Sequence, residues 1–102
     1  MKLLTKAIEK KLPALYSTEK SGAAKVVVKF FYPAGSGTWY ATEYDGEDTF
    51  FGYVTGLGNN ELGYFSLKEL SDFRGKFGIR IERDRHWKWT TELSDVVSGR
   101  IL

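Results

Sequence analysis

Trp39-Tyr40-Ala41-Thr42-Glu43-Tyr44-Asp45-Gly46-Glu47-Asp48-Thr49-Phe50-Phe51-Gly52-Tyr53-Val54 is the stretch whose reading decides the fold. Two aromatic, strand-favouring runs meet at an Asp-Gly step. Such a step is the strongest short signal of a β-hairpin, because a type I′ turn needs positive φ at both central residues. A two-residue turn sets Tyr44 against Glu47, Glu43 against Asp48, Thr42 against Thr49, Ala41 against Phe50 and Tyr40 against Phe51. Like charges directly opposite cost roughly 0.2–1 kcal/mol. A longer loop avoids that penalty at Glu43 and Asp48 and is the simpler reading. The other is that a cation or a partner offsets the repulsion.

Ahead of the hairpin, Lys25-Val26-Val27-Val28-Lys29-Phe30-Phe31-Tyr32 reads as a strand. Strict alternation puts Val26, Val28, Phe30 and Tyr32 on one face and Val27, Lys29 and Phe31 on the other. Both faces are largely apolar, so the strand belongs in the middle of a sheet, ending at Pro33. Upstream, Leu4, Ile8, Leu12 and Leu15 recur at helical spacing with lysines opposite. Thr5 is a suitable N-cap and Pro13 a suitable stop.

Beyond the hairpin, Glu61-Leu62-Gly63-Tyr64-Phe65 forms a short strand. Ser66 and Glu69 make a capping box for a helix running to Arg74, with Gly75 at its C-terminal end. Residues 77–84 alternate apolar and charged side chains, as an edge strand does. The alternation continues into Arg85-His86-Trp87-Lys88-Trp89. A weak helical stretch at 92–97 ends at Gly99. The expectation is one α+β domain over residues 1–102. Its antiparallel sheet has four to five strands around the 39–54 hairpin, flanked by an N-terminal helix and a capped helix near 67–74.

Composition narrows the function classes. The 102 residues carry no Cys, which removes disulfides and thiolate metal sites and suits a reducing cytoplasm. The N-terminus is charged again before any apolar region develops, unlike a signal peptide, and no apolar run approaches a membrane span. A net charge of +2 is weak for an obligate duplex-DNA binder and wrong for an acidic DNA mimic. Aromatics at 16% are abundant enough to fill a core and also to leave an exposed platform.

Several blocks together resemble the DUF2958 family, a domain of unknown function. They are residues 3–6 with 9–16, 28–31, 39–53, 61–70 and 81–84, nearly the whole chain. The sequence departs from the family pattern at 88–91 and in the tail, where that pattern is richer in proline. The resemblance implies a small bacterial protein carried on plasmids, integrative elements or phages, near DNA-processing and anti-defence genes. It supplies no catalytic residues.

Two clusters are candidate binding sites. Glu43, Asp45, Glu47 and Asp48 surround the hairpin bend beside Tyr40 and Tyr44. Exposed, they would meet a basic partner surface, including the nucleic-acid channel of another protein. Four carboxylates also suggest a divalent cation, but their spacing lacks the alternating ligands of an EF-hand. Arg83 and Arg85 fall with Trp87 and Trp89 on one strand face, suited to phosphates and stacked bases. His86 is the single histidine; Asp84 would share its face, yet no nucleophile accompanies them. No phosphate-binding glycine fingerprint is present.

The expectation is therefore a non-enzymatic protein without cofactor or metal that binds another protein or a protein–nucleic acid complex. It would modulate a bacterial nucleic-acid defence system such as CRISPR or restriction. A single-stranded nucleic-acid binder and a metal-dependent hydrolase at the carboxylates are the alternatives.

Overall fold

The computed structural model describes residues 2–18 and 24–99. A five-stranded antiparallel sheet has the strand order β5-β4-β3-β2-β6. These strands are β2 (Val28–Phe31), β3 (Thr38–Tyr44), β4 (Thr49–Thr55), β5 (Glu61–Ser66) and β6 (Glu82–Arg83). A two-stranded sheet pairs β1 (Lys25–Val26) with β7 (Thr91–Glu92). Among the described residues there are also three short α-helices: α1 (Lys6–Glu9), α2 (Leu67–Asp72) and α3 (Leu93–Val97). The α+β class and the central hairpin stand as the sequence implies.

The Lys25 strand is central but broken. Val27 donates its amide to the Ala41 carbonyl at 2.9 Å, and Val28 also pairs with Ala41. Two residues against one make a bulge, which disrupts the pleat. Val28 and Phe30 enter the main core, while Val26 goes to a second cluster with Tyr40 and Val96. The single apolar face expected for Val26, Val28 and Phe30 is therefore split between two cores.

That split lets the sheet bury both sides. One face carries Phe30, Trp39, Ala41 and Phe50 against Leu3, Leu70 and Ile81. The other carries Tyr40 and Tyr53 against Trp87, Leu93 and Val96. Gly52 sits opposite Ala41 because the strands approach closely there; a Cβ would lie 1.9 Å from the Tyr40 carbonyl oxygen.

The hairpin has the longer loop. Tyr44 pairs with Phe50 and Glu43 with Phe51, and the register slips between Ala41 and Glu43. Glu43 and Asp48 are not opposed, as the longer-loop reading expects. The reason lies in the Asp45 side chain: Oδ1 accepts the amides of Glu47, Asp48 and Thr49 at 2.8, 2.9 and 3.0 Å. An Asx-type turn of this kind satisfies three backbone amides locally.

The helices are shorter than the periodicity suggests. Thr5 caps α1 as expected, its Oγ1 accepting the Ile8 amide at 3.2 Å, but regular helix ends at Glu9. Ser66 caps α2, its Oγ accepting the Glu69 amide at 3.1 Å. Helix α2 stops at Asp72, and Gly75 is not a left-handed terminator; its φ is −84°. Glycine stands there because a Cβ would lie 1.7 Å from the Tyr32 hydroxyl.

The long edge strand is the largest correction. Residues 76–78 form a 3-10 turn with Phe77 and Gly78 at positive φ, and the strand is Glu82–Arg83 alone. Asp84 ends it: Oδ1 accepts the His86 amide at 2.9 Å and the carbonyl accepts the Trp87 amide. A second turn joins Lys88 to Thr91. Trp87 and Trp89 consequently lie on turns. Among the described residues, no helix is long and apolar enough to cross a membrane.

Candidate functional site

The hairpin tip is built inward. Glu43 is 2% exposed. Its carboxylate accepts the Tyr16 amide at 2.8 Å, the Thr18 amide at 3.0 Å and the Thr18 hydroxyl. A carboxylate so buried must be satisfied by donors, and these donors pin residues 16–18 onto the sheet. Tyr44 is buried beside Phe50, ring centroids 4.6 Å apart. Burial pushes its hydroxyl pKa up, and the carboxylates of Glu9, Asp45, Asp48 and Glu47 add to this. Tyr40 is buried between Tyr53 and Trp87, and burial raises its pKa too, with a Thr55 hydrogen bond opposing.

Asp48 is committed to α2. Its Oδ1 accepts the Lys68 amide at 2.8 Å, its Oδ2 the Ser66 hydroxyl at 2.5 Å, and its carbonyl the Leu67 amide. Two amides that a helix start leaves unpaired are thereby satisfied. Asp45 holds the turn, and its backbone donors keep its carboxyl below the ordinary carboxylate value. Glu47 alone faces solvent without a partner among the described residues. The expected exposed surface of Tyr40, Glu43, Tyr44, Asp45, Glu47 and Asp48 is thus dismantled by burial and local bonding. Among the described residues, no three His, Cys, Asp or Glu side chains are grouped to hold a metal ion.

The second cluster converges, by a route the alternation did not supply. Arg83, Arg85, Trp87 and Trp89 line one recess of about 380 Å³ together with Ile8, Lys11 and Asp84. Arg83 is anchored, donating to the carbonyls of Lys2 and Leu3. Trp87 is half-buried, its indole N–H donating to the Val26 carbonyl at 2.8 Å. These two residues form the wall. Trp89 is 50% exposed, and the Lys11 ammonium lies 5.7 Å from its ring centroid. Arg85 is exposed and, among the described residues, makes no hydrogen bond or ion pair. Lys88 is exposed beside them. Asp84 is partly neutralised by Lys29, at 4.0 Å, which lies within 6 Å of the Tyr40 and Trp87 rings.

Chemically, the recess offers one half-exposed aromatic ring and one cation, Arg85, without hydrogen bond or ion pair among the described residues, while Lys11 is bonded to the Ala7 carbonyl and set over the Trp89 ring. Lys11 is the member that sequence reasoning missed. Helical spacing puts it on the solvated side of an N-terminal helix, but regular helix ends at Glu9 and Lys11 lies in the turn beyond, with its ammonium over the Trp89 ring. His86 is exposed, and its expected partner Asp84 spends an oxygen on the His86 backbone amide.

Among curated proteins and among solved structures, nothing matches this chain. A family model described as a protein of unknown function, DUF2958, matches residues 3–99. With the match spanning nearly the whole chain, the protein belongs to the DUF2958 family.

Proposed function

We propose that this protein is a non-catalytic binding module that engages single-stranded nucleic acid through the recess of Lys11, Arg83, Arg85, Trp87 and Trp89. The observation that carries the reading is the half-exposed Trp89 ring flanked by Lys11 and Arg85. A base stacks on the exposed part of the Trp89 ring while phosphates lie along the cations. Stacking of this kind contributes roughly 1–3 kcal/mol per base and tolerates any sequence. Arg83 and Trp87 act as a rigid wall, since their polar groups are spent on backbone carbonyls. In the mobile-element setting that the family resemblance implies, such binding modulates a nucleic-acid processing or defence system, CRISPR and restriction included.

A second reading is that the target is a protein of such a system. It is favoured by Tyr16, Leu62 and Tyr64, each more than half exposed, with the Tyr16 and Tyr64 rings 6.4 Å apart. Contiguous exposed apolar surface marks interaction sites. Leu62 and Tyr64 lie on β5, an edge of the sheet. The two readings separate by mutation. Trp89→Ala with Arg85→Ala abolishes oligonucleotide binding if the recess is the site, whereas Leu62→Glu with Tyr64→Glu leaves it intact. The opposite pattern, with partner capture lost only in the β5 variant, supports the protein target.

A further inference from the structure

A second cavity, sharing no lining residue with the basic recess, opens between α2 and the loops at 34–37 and 56–60. Its volume is about 400 Å³, within the range of roughly 300–1,000 Å³ typical of small-molecule pockets. The walls are aromatic, from Tyr32, Trp39, Phe65 and Phe73. Tyr32 and Phe73 meet edge-on, ring centroids 5.2 Å apart. The rim is tied: Ser36 Oγ donates to the Gly56 carbonyl at 2.8 Å, and Gly56, at φ +80°, lies so close to Ser36 that no side chain fits. The cavity is therefore formed before any ligand arrives.

Its polar inventory is short. The Ser36 hydroxyl is spent on Gly56 and the Ser66 hydroxyl on Asp48. Glu69 lines the cavity and, among the described residues, its carboxylate has no hydrogen-bond or ion-pair partner. One unspent anion, at an exposed position, thus lines a cavity walled by aromatic residues, whose ring faces carry negative quadrupole density. Both features disfavour an anionic ligand, and both favour a cation over an aromatic face.

We propose that this cavity binds a small organic cation, its apolar body against Tyr32, Trp39 and Phe65 and its ammonium or guanidinium group at Glu69. The proposal stands apart from the nucleic-acid reading, since a polyanion is repelled here. The test is a titration of the full chain with phenethylammonium, and in parallel with neutral phenethyl alcohol, followed by NMR at the Trp39 indole and the Gly37 and Gly56 amides. The expected result is saturable shifts with the amine and binding of the alcohol weaker by about tenfold or more, the size of one charge-assisted contact. Glu69→Gln, at an exposed position, should bring the amine down to the level of the alcohol. Equal binding of amine and alcohol, unchanged amine binding by Glu69→Gln, or no saturable shift with either overturns the proposal.

Discussion

Glu43 looks like a charge at a loop tip and is instead the buried pin of a neighbouring segment. Two backbone amides and one hydroxyl converge on it from residues 16 and 18. The carboxylate is buried but its donors are only part-buried, and a lost hydrogen bond to a charged group costs roughly 1.5–3 kcal/mol, so Glu43→Ala should lower stability by about 2 kcal/mol in urea unfolding. A loss under about 0.5 kcal/mol contradicts this role. Glu43→Lys should unfold the chain outright, so it cannot serve as a clean probe of binding. Asp45 acts differently, from an exposed position. Its backbone donors depress its carboxyl below the ordinary value of 3.8. A depressed carboxylate contributes stability that is present above the unfolded pKa and is lost as pH falls through the folded one. Asp45→Ala should therefore flatten the acid limb of stability below about pH 4 and change its slope little near neutrality. An unchanged acid limb in urea unfolding across pH 2–6 contradicts it.

Among the elements, those with strong local signals were legible. The 39–54 hairpin, the Thr5 and Ser66 caps and the interior place of Val28–Phe31 in the sheet all follow from chemistry within a few residues. The elements that differ were decided by partners distant in sequence. Asp48 caps a helix that starts nineteen positions on, at Leu67. Asp48→Ala should cost about 1 kcal/mol, the usual size of a lost N-cap, with faster amide exchange confined to Lys68 and its neighbours. Uniform exchange across the sheet instead would show that the loss is not local. Bulges at Val27 and Thr42 shift the alternation by one residue, which no period-two pattern reports. Gly52→Ala is the sharpest test of the β3–β4 approach. With its Cβ 1.9 Å from the Tyr40 carbonyl, backbone must move, and the melting temperature should fall by several degrees. Phe77 is the converse. It is 96% exposed at φ 59°, and nothing in its surroundings explains either the side chain or the backbone.

At the scale of the molecule, the sheet buries both faces, so most aromatics that sequence offers as a binding platform are core. Tyr40 and Tyr44 are the clearest cases, and Trp87 is half so. What remains accessible is set by where turns fold back. The turns after Asp84 and Lys88 bring Trp89 against the turn that follows α1, and only then does Lys11 join Arg85 at the half-exposed ring. The Arg/Trp grouping was readable, though from the wrong geometry; the contribution of Lys11 was not, because it depends on tertiary contact. If phosphates lie along these cations, affinity must fall as salt rises through counterion release. The decisive measurement is a tryptophan-fluorescence titration with a single-stranded oligonucleotide at low ionic strength, wild type against Trp89→Ala. Saturable quenching that weakens with added salt, and an affinity loss of roughly five- to 150-fold in the variant, the equivalent of about 1–3 kcal/mol for one stacked base, is the predicted result. No quenching at low salt, or equal affinity in Trp89→Ala, contradicts the recess as a nucleic-acid site.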